Sequence, residues 1–199
     1  LSAYVTGAIW AVCGGSLDFW GRLTSVLFSV GAVALLFHFV KKQHGRKAAT
    51  GAAVMLAVAP ISVAYGQAFM LDASILFFTL AGFVAWHAWC SSGRWSSLAL
   101  AVPAFAALFL TKVYLVVLAI PLVAMIWQTT EGRAVIWRRL IVGCPALVLA
   151  AVPVALWCIH AVRISTPGSP WADHIFASLQ GNAERYRPPD PLLWNPDFY

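Results

Sequence analysis

Three ionisable residues lie at the edges of long apolar runs: Arg22, Asp72 and Lys112. Arg22 opens one apolar run, Asp72 opens another, and Lys112 separates two more. Ionisable groups at membrane level are costly and usually face a cavity or a partner. One acid and two bases at the mouth of a helical bundle would suit an anionic ligand such as a phosphate, because Arg supplies a planar fork and Lys a point charge.

Each of these residues also has a purely structural interpretation. A carboxylate at a helix N-terminus can cap free N–H groups and meets the positive end of the helix dipole, which would explain Asp72. Lys112 could snorkel to the interface from a helix end. Arg22 could anchor a span beside Trp20 at the interface. The residues alone leave both interpretations open.

The composition predicts the elements that would position these side chains. Of the 199 residues, 61% are hydrophobic and 10% are charged, whereas a soluble domain is about half apolar and a quarter charged. We therefore expect an all-α fold, a polytopic transmembrane helical bundle. The apolar segments lie at roughly 1–13, 23–40, 48–64, 73–90, 97–110, 113–127 and 140–162. Residues 97–127 could form two tilted spans or be partly re-entrant.

The basic residues predict an orientation by the positive-inside rule. They place residues 41–47, 91–96 and 128–139 in the cytoplasm and residues 164–199 outside, in a multi-pass protein of the cell (inner) membrane. Eight of the thirteen basic residues then lie inside and six of the seven acidic residues outside. This split explains the net charge of +6 without a nucleic-acid partner.

Two regions follow from this division of the chain. Residues 1–163 form the predicted membrane core, which we expect to be incomplete at its N-terminus because the sequence opens inside an apolar run without an initiator Met. Residues 164–199 form a polar outer loop or the start of an outer domain. Arg185, Tyr186 and Arg187 in this tail could close over a lipid head group, or could belong to a solvated loop. The histidines and cysteines show no metal-ligand spacing.

A set of short motifs runs in order along the predicted core: Arg22–Leu23, Gly45–Arg46, Pro60, Tyr65, Asp72, Phe77–Phe78, then Leu110, Thr111, Lys112 and Tyr114. Their order and spacing resemble the membrane core of the protein O-mannosyltransferase and aminoarabinose lipid A transferase superfamily, the family 39 glycosyltransferases of the GT-C fold. The resemblance covers about residues 1–163. Gln67 departs from the family pattern, in which a basic residue is common at that position.

The resemblance implies a reaction at the outer face of the membrane. A sugar would pass from a polyprenyl-phosphate donor to a lipid, glycan or protein acceptor with inversion. Arg22 and Lys112 would bind the donor phosphate, and Asp72 and Tyr65 would support the polar site. The resemblance places the catalytic base upstream of Leu1, so no catalytic residue is assigned here. No definite cofactor is indicated, although Asp72 could help to hold a divalent metal ion.

Two other classes of protein compete with a transferase. A transporter or flippase of lipid-linked substrates would often carry broken helices and charges near the midplane, whereas these charges are predicted at the outer edge. A non-catalytic membrane subunit with the same fold would differ only in lacking the base. Charge placement and motif order favour the transferase.

Overall fold

The computed structural model describes residues 2–60, 62–63, 72–111, 115–129 and 132–164. These residues are helical almost throughout and contain no strand, which confirms the all-α prediction. By their contacts, Leu1–Val154 form one compact unit and Ala155–Tyr199 a second. The helices are α1 (Ser2–Cys13), α2 (Leu17–Val58), α3 (Asp72–Ser92), α4 (Trp95–Thr111), α5 (Leu115–Thr129) and α6 (Arg133–Ile164).

A tight turn joins α1 to α2. Gly14 and Gly15 both have positive φ, at 65° and 83°, a backbone region that glycine enters at little cost. Ser16 is the N-cap of α2, and its hydroxyl accepts the N–H of Phe19 at 3.5 Å. Helix α2 therefore begins at Leu17, earlier than the apolar segment at 23–40, because a cap rather than hydrophobicity determines its start.

Helix α2 is interrupted at Gly45, whose φ of 82° and ψ of 176° are not helical. Side chains other than glycine's rarely adopt such a φ. The basic residues of the stretch 41–47, predicted to be cytoplasmic, flank this break: Lys41, Lys42, Arg46 and Lys47. The predicted apolar segment 23–40 therefore lies before the break at Gly45, and the predicted segment 48–64 begins after it.

The first part of α2 packs beside α3, and the two run in the same direction. The rings of Phe28 and Phe77 have centroids 5.3 Å apart, and those of Phe39 and His87 are 5.4 Å apart. Because the residue numbers of the paired rings increase together along both helices, the helices are parallel. Asp72, at the start of α3, consequently lies at the end of the bundle at which α2 begins.

Helices α3 and α4 form an antiparallel hairpin around Gly93, which has a φ of 73°. Gly82 lies against the ring of Phe105, and the Trp86 and Phe105 rings are 6.2 Å apart. Helix α5 then runs parallel to α3, because Trp86 donates to the carbonyl of Leu122 at 3.2 Å while Cys90, further along α3, lies near Thr129.

Helices α4 and α5 are short, with 17 and 15 residues. At about 1.5 Å per residue they are roughly 25 and 22 Å long, less than the ~30 Å hydrocarbon core of a bilayer. They run in opposite directions beside α3. Their connections to α3 and α6 therefore lie at the same end of the bundle, the end at which α3 finishes.

Helix α6 runs back along α3, with Arg139 beside Trp89 and Gly143 beside Trp86. It begins at Arg133, seven residues before the predicted apolar segment at 140–162. Arg133, Arg138 and Arg139, which belong to the stretch 128–139 predicted to be cytoplasmic, are helical and occupy the first two turns of α6.

The buried core is narrow and aromatic, and apolar side chains cover the outside. The largest fully buried side chains include Trp86, Trp89, Phe105 and Phe109. Facing outward are Leu27 at 61%, Met55 at 76% and Ile120 at 76% exposure. Such a surface suits lipid rather than water. Within the described part of the chain, three helices are long and apolar enough to cross a bilayer: Leu17–Val58, Asp72–Ser92 and Arg133–His160. The predicted helical membrane bundle is confirmed.

Trp86 should be a main stabilising residue of this core. It is 2% exposed and joins α3 to α5 through its indole hydrogen bond to Leu122. Trp86→Phe removes that bond and leaves a void, at a cost of about 1–3 kcal/mol. Thermal unfolding of the purified full-length protein in detergent should show a clear loss of stability. Trp137→Phe, at a position 64% exposed, is the matched control, and an equal effect of the two substitutions would contradict this role.

Candidate functional site

The first end of the bundle, where α2 and α3 begin, holds two of the predicted site residues, Arg22 and Asp72. Two indoles fix the turn that precedes them. Trp20 Nε1 donates to the carbonyl of Gly14 at 2.7 Å, and Trp10 Nε1 donates to that of Gly15 at 2.9 Å. These bonds satisfy turn carbonyls that would otherwise lack partners near an apolar phase. The turn therefore sets where α2 begins and at what height its first charged residues lie.

Arg22 is held on its own helix by Asp18, one turn earlier. Arg22 Nε donates to Asp18 Oδ2 at 2.9 Å, and the two side chains are 64% and 67% exposed. An exposed i, i+4 pair of this kind contributes little to stability. Its effect is on geometry, since Asp18 uses one edge of the guanidinium and the two terminal nitrogens retain N–H donors for a ligand.

Asp72 lies at the same level as Arg22 along the bundle. The ring pairs between α2 and α3 are offset by 49 and 48 residues, so Asp72 is level with residues 23–24 of α2. Asp72 is half-buried in the first turn of α3. Arg22 and Asp72 thus lie at the same height on two neighbouring helices.

Small side chains are buried at this height on both helices. Thr24 is 4%, Ser25 2%, Ala73 6% and Ser74 0% exposed. The hydroxyl of Thr24 donates to the carbonyl of Trp20 at 2.7 Å, and that of Ser25 to the carbonyl of Gly21 at 3.2 Å. Small residues allow close approach of membrane helices. We therefore assign Thr24 and Ser25 to helix packing.

The other predicted site residues lie outside the described residues: Tyr65, Lys112, Arg185, Tyr186 and Arg187. Helix α4 nevertheless ends at Thr111, and its antiparallel course carries that residue towards the first end. The contacts of Phe105 with Gly82, Phe83 and Trp86 place Thr111 level with about residue 77. This is roughly 8 Å along the axis from the level of Asp72, at about 1.5 Å per residue.

The opposite end of the bundle carries the basic residues and a second arrangement that the sequence did not single out. The guanidinium carbon of Arg139 lies 5.0 Å from the ring centroid of Trp89. Beside them is a cavity of about 180 Å³, lined in part by Trp95 and Arg138. The only signal for this end in the sequence is one of topology, basic residues in connecting loops. That signal could not show that residues about fifty positions apart share one cavity.

Metal binding has no support within the described ranges. No group of three or more His, Cys, Asp or Glu side chains could hold an ion there. The described part of the chain therefore provides no complete ligand set to which Asp72 could belong.

The sequence profile of the dolichyl-phosphate-mannose-protein mannosyltransferase family matches residues 1–157. The chain belongs to this family. The match covers all of the motifs from Arg22 to Tyr114 and confirms the resemblance to GT-C glycosyltransferases. No curated protein and no solved structure shows a significant match to the chain.

Membership of this family indicates which surfaces the bundle needs in order to bind a donor. The chain is of the membrane mannosyltransferase type, a class of glycosyltransferase whose family description names a lipid phosphate-linked sugar. A lipid-linked donor requires a protein surface that meets lipid, and the outward apolar side chains provide it. It also carries an anionic phosphate, which requires cations near the membrane surface.

Proposed function

We propose that the chain is the membrane core of a glycosyltransferase that moves a sugar from a polyprenyl-phosphate donor to an acceptor at the first end of the bundle, with inversion. The family match carries this proposal. The placement of Arg22 and Asp72 at one level supports it. In the cell (inner) membrane this end would face outward, with the basic end in the cytoplasm, as the positive-inside rule predicts.

The proposed reaction needs few protein groups. A base takes the proton of the acceptor hydroxyl, the oxygen attacks the anomeric carbon, and the bond from that carbon to the phosphate oxygen breaks. The polyprenyl phosphate leaves as a stabilised anion, so general acid assistance is not required. Negative charge grows on the phosphate as this bond breaks, and cations placed beforehand stabilise that charge.

Arg22 is the described residue best suited to the phosphate. Asp18 holds its guanidinium through Nε, which limits its rotamers while leaving the terminal nitrogens to donate. A fork of this kind can make two parallel bonds to phosphate oxygens. We propose Lys112 as the second cation, Asp72 as the group that orients one of them, and Tyr65 as a further polar support. The acceptor is a lipid, glycan or protein.

A transporter of lipid-linked substrates is the second candidate. Such proteins often place charges and broken helices near the membrane midplane. Among the described residues, the acidic and basic side chains of α2, α3 and α6 lie in their end turns or beside the break at Gly45. This distribution favours chemistry at the membrane surface over passage through its middle.

A donor assay tests the proposal. Full-length protein in proteoliposomes, supplied with cell-membrane acceptors, would receive polyprenyl-phosphate [¹⁴C]mannose, polyprenyl-phosphate [¹⁴C]glucose or GDP-[¹⁴C]mannose. We expect label transfer with release of polyprenyl phosphate from at least one lipid-linked donor and none from the nucleotide sugar. Movement of the intact labelled lipid between leaflets without transfer would instead support the transporter. Absence of both transfer and lipid movement would support a non-catalytic subunit.

A further inference from the structure

The basic end of the bundle contains a built cavity that the transfer reaction does not use. It is about 180 Å³ in volume and lies between the α3–α4 turn and the beginning of α6. Its walls are the rings of Trp89 and Trp95 and the side chains of Val135 and Val142. Arg138 and Arg139 complete the lining. It thus combines apolar walls with two guanidinium groups.

Glycine at position 93 allows Arg139 to lie against the turn. A β-carbon there would come within 2.7 Å of Arg139 Nη2, closer than such atoms approach in proteins. The carbon of the same guanidinium lies over the Trp89 ring, which is 1% exposed. A cation on an indole face is attracted by the ring quadrupole. Arg139 is therefore positioned by its contacts with the turn at Gly93 and the ring of Trp89, not by an ion pair with a carboxylate.

The Nε–H group of Arg139 has an unusual environment. This atom is buried and has no hydrogen-bond partner among the residues that the structure describes. Leaving a buried donor of a charged group unpaired is costly, and such atoms are rare in folded proteins. Arg139 therefore has no acidic or carbonyl partner at this nitrogen from the described part of the chain, and its charge, beside that of Arg138 in the cavity lining, is left to attract an anion that enters the cavity.

The charge around the cavity is positive. Two segments contribute to the lining, 91–96 and 132–142. The first contains Arg94, the second contains Arg133 as well as Arg138 and Arg139, and neither contains an acidic residue. Glu131, just before them in the sequence, lies outside the described residues. Two guanidiniums without a described carboxylate favour an anion, and their planar forks suit a tetrahedral oxyanion.

We propose that this cavity binds the phosphate group of an anionic ligand, with Arg139 and Arg138 as donors and the exposed Trp95 ring beside any attached apolar part. The ligand is either an anionic phospholipid of the bilayer or a free phosphate. Its position where α3, α4 and α6 meet the aqueous phase suits a lipid head group, since tryptophan and arginine are the residues of that interface. Occupancy would join the α3–α4 turn to α6. This inference is independent of the proposed transfer reaction.

Lipid-dependent unfolding tests the site. Full-length protein in a neutral detergent would be heated with added phosphatidylglycerol, phosphatidylcholine or millimolar inorganic phosphate, and bound lipid would be counted by native mass spectrometry. We expect phosphatidylglycerol to raise Tm and to remain bound, with phosphatidylcholine weaker. Arg139→Gln should weaken the response at least about tenfold in apparent affinity. Inorganic phosphate giving the full Arg139-dependent shift would identify free phosphate as the source.

Two further variants keep the test decisive. Arg138→Gln removes the exposed donor, so it should fold even if Arg139→Gln does not, and should also weaken the response. Arg46→Gln is the matched control, because it removes a cation at the same end of the bundle but outside the cavity lining. Equal losses from Arg46→Gln and the cavity variants, or equal binding of phosphatidylglycerol and phosphatidylcholine, would overturn the proposal in favour of general surface attraction.

Discussion

Lys112→Ala and Asp72→Asn are each expected to lower sugar transfer by at least about 100-fold in the full-length protein, the scale of losing one preorganised charge-stabilising group. The proposed reaction sends negative charge to the leaving phosphate, and Lys112 would meet that charge directly. Asp72 would act by orienting a cation, and an amide retains its shape without its charge. The measurement is the initial rate of polyprenyl phosphate release from the labelled donor, with expression and membrane insertion checked for each variant.

Asp18→Asn and Lys47→Ala are the matched controls. Asp18 is also an acid in the first turn of a helix at the same end, and Lys47 lies beyond the break at Gly45, among the basic residues. We expect Asp18→Asn to lower transfer only a few-fold, because an exposed pair contributes little, and Lys47→Ala to have no effect. Near-wild-type transfer by both Lys112→Ala and Asp72→Asn would remove these residues from the site.

Arg22→Ala separates a ligand role from an ion-pair role. If Arg22 binds the donor phosphate, its loss should lower transfer far more than the loss of Asp18, which only positions it through Nε. Equal and small effects of the two substitutions would mean that the pair serves only the helix surface.

Membership of the helical membrane class could be predicted from the sequence because it depends on patterns within single segments. Apolar length predicted the helices, and grouped basic residues such as Lys41 and Lys42 marked a break that the structure places at Gly45. The positions of the helix ends were predicted less accurately. Asp18 and Arg22 lie inside α2, and Arg133 to Arg139 lie inside α6, since caps and continued backbone hydrogen bonding extend helices past their apolar parts.

The level shared by Arg22 and Asp72 was predicted from the alternation of spans, and the ring pairs between α2 and α3 agree with it. The cavity at the basic end could not be predicted in that way. It depends on which side of α6 Arg139 occupies and on the space left by Gly93 beside Trp89. Such contacts are set by helix rotation and packing, for which charge spacing along the chain carries no signal.

Gly82→Val is expected to prevent stable folding of the α3–α4 hairpin, and Gly82→Ala to weaken it. A β-carbon at Gly82 would come within 2.5 Å of Phe105 Cε1. The Phe105 ring cannot easily move, because it is 1% exposed and packs against Phe83, Trp86 and Phe109 with centroids 6.2–6.4 Å away. Overpacking of this kind costs about 1–3 kcal/mol, more than the roughly 1 kcal/mol that alanine gains over glycine in a helix.

Thermal unfolding in detergent and the monodisperse fraction after size-exclusion chromatography measure this effect. Gly51→Ala is the control, since Gly51 is helical and a β-carbon added there would meet no atom within 4 Å, so its stability should be unchanged or slightly higher. Gly82→Ala combined with Phe105→Leu should recover part of the loss, because the shorter side chain vacates the space that the new methyl needs. Failure of Phe105→Leu to relieve Gly82→Ala would show that the close approach of α3 and α4 is not what requires glycine at this position.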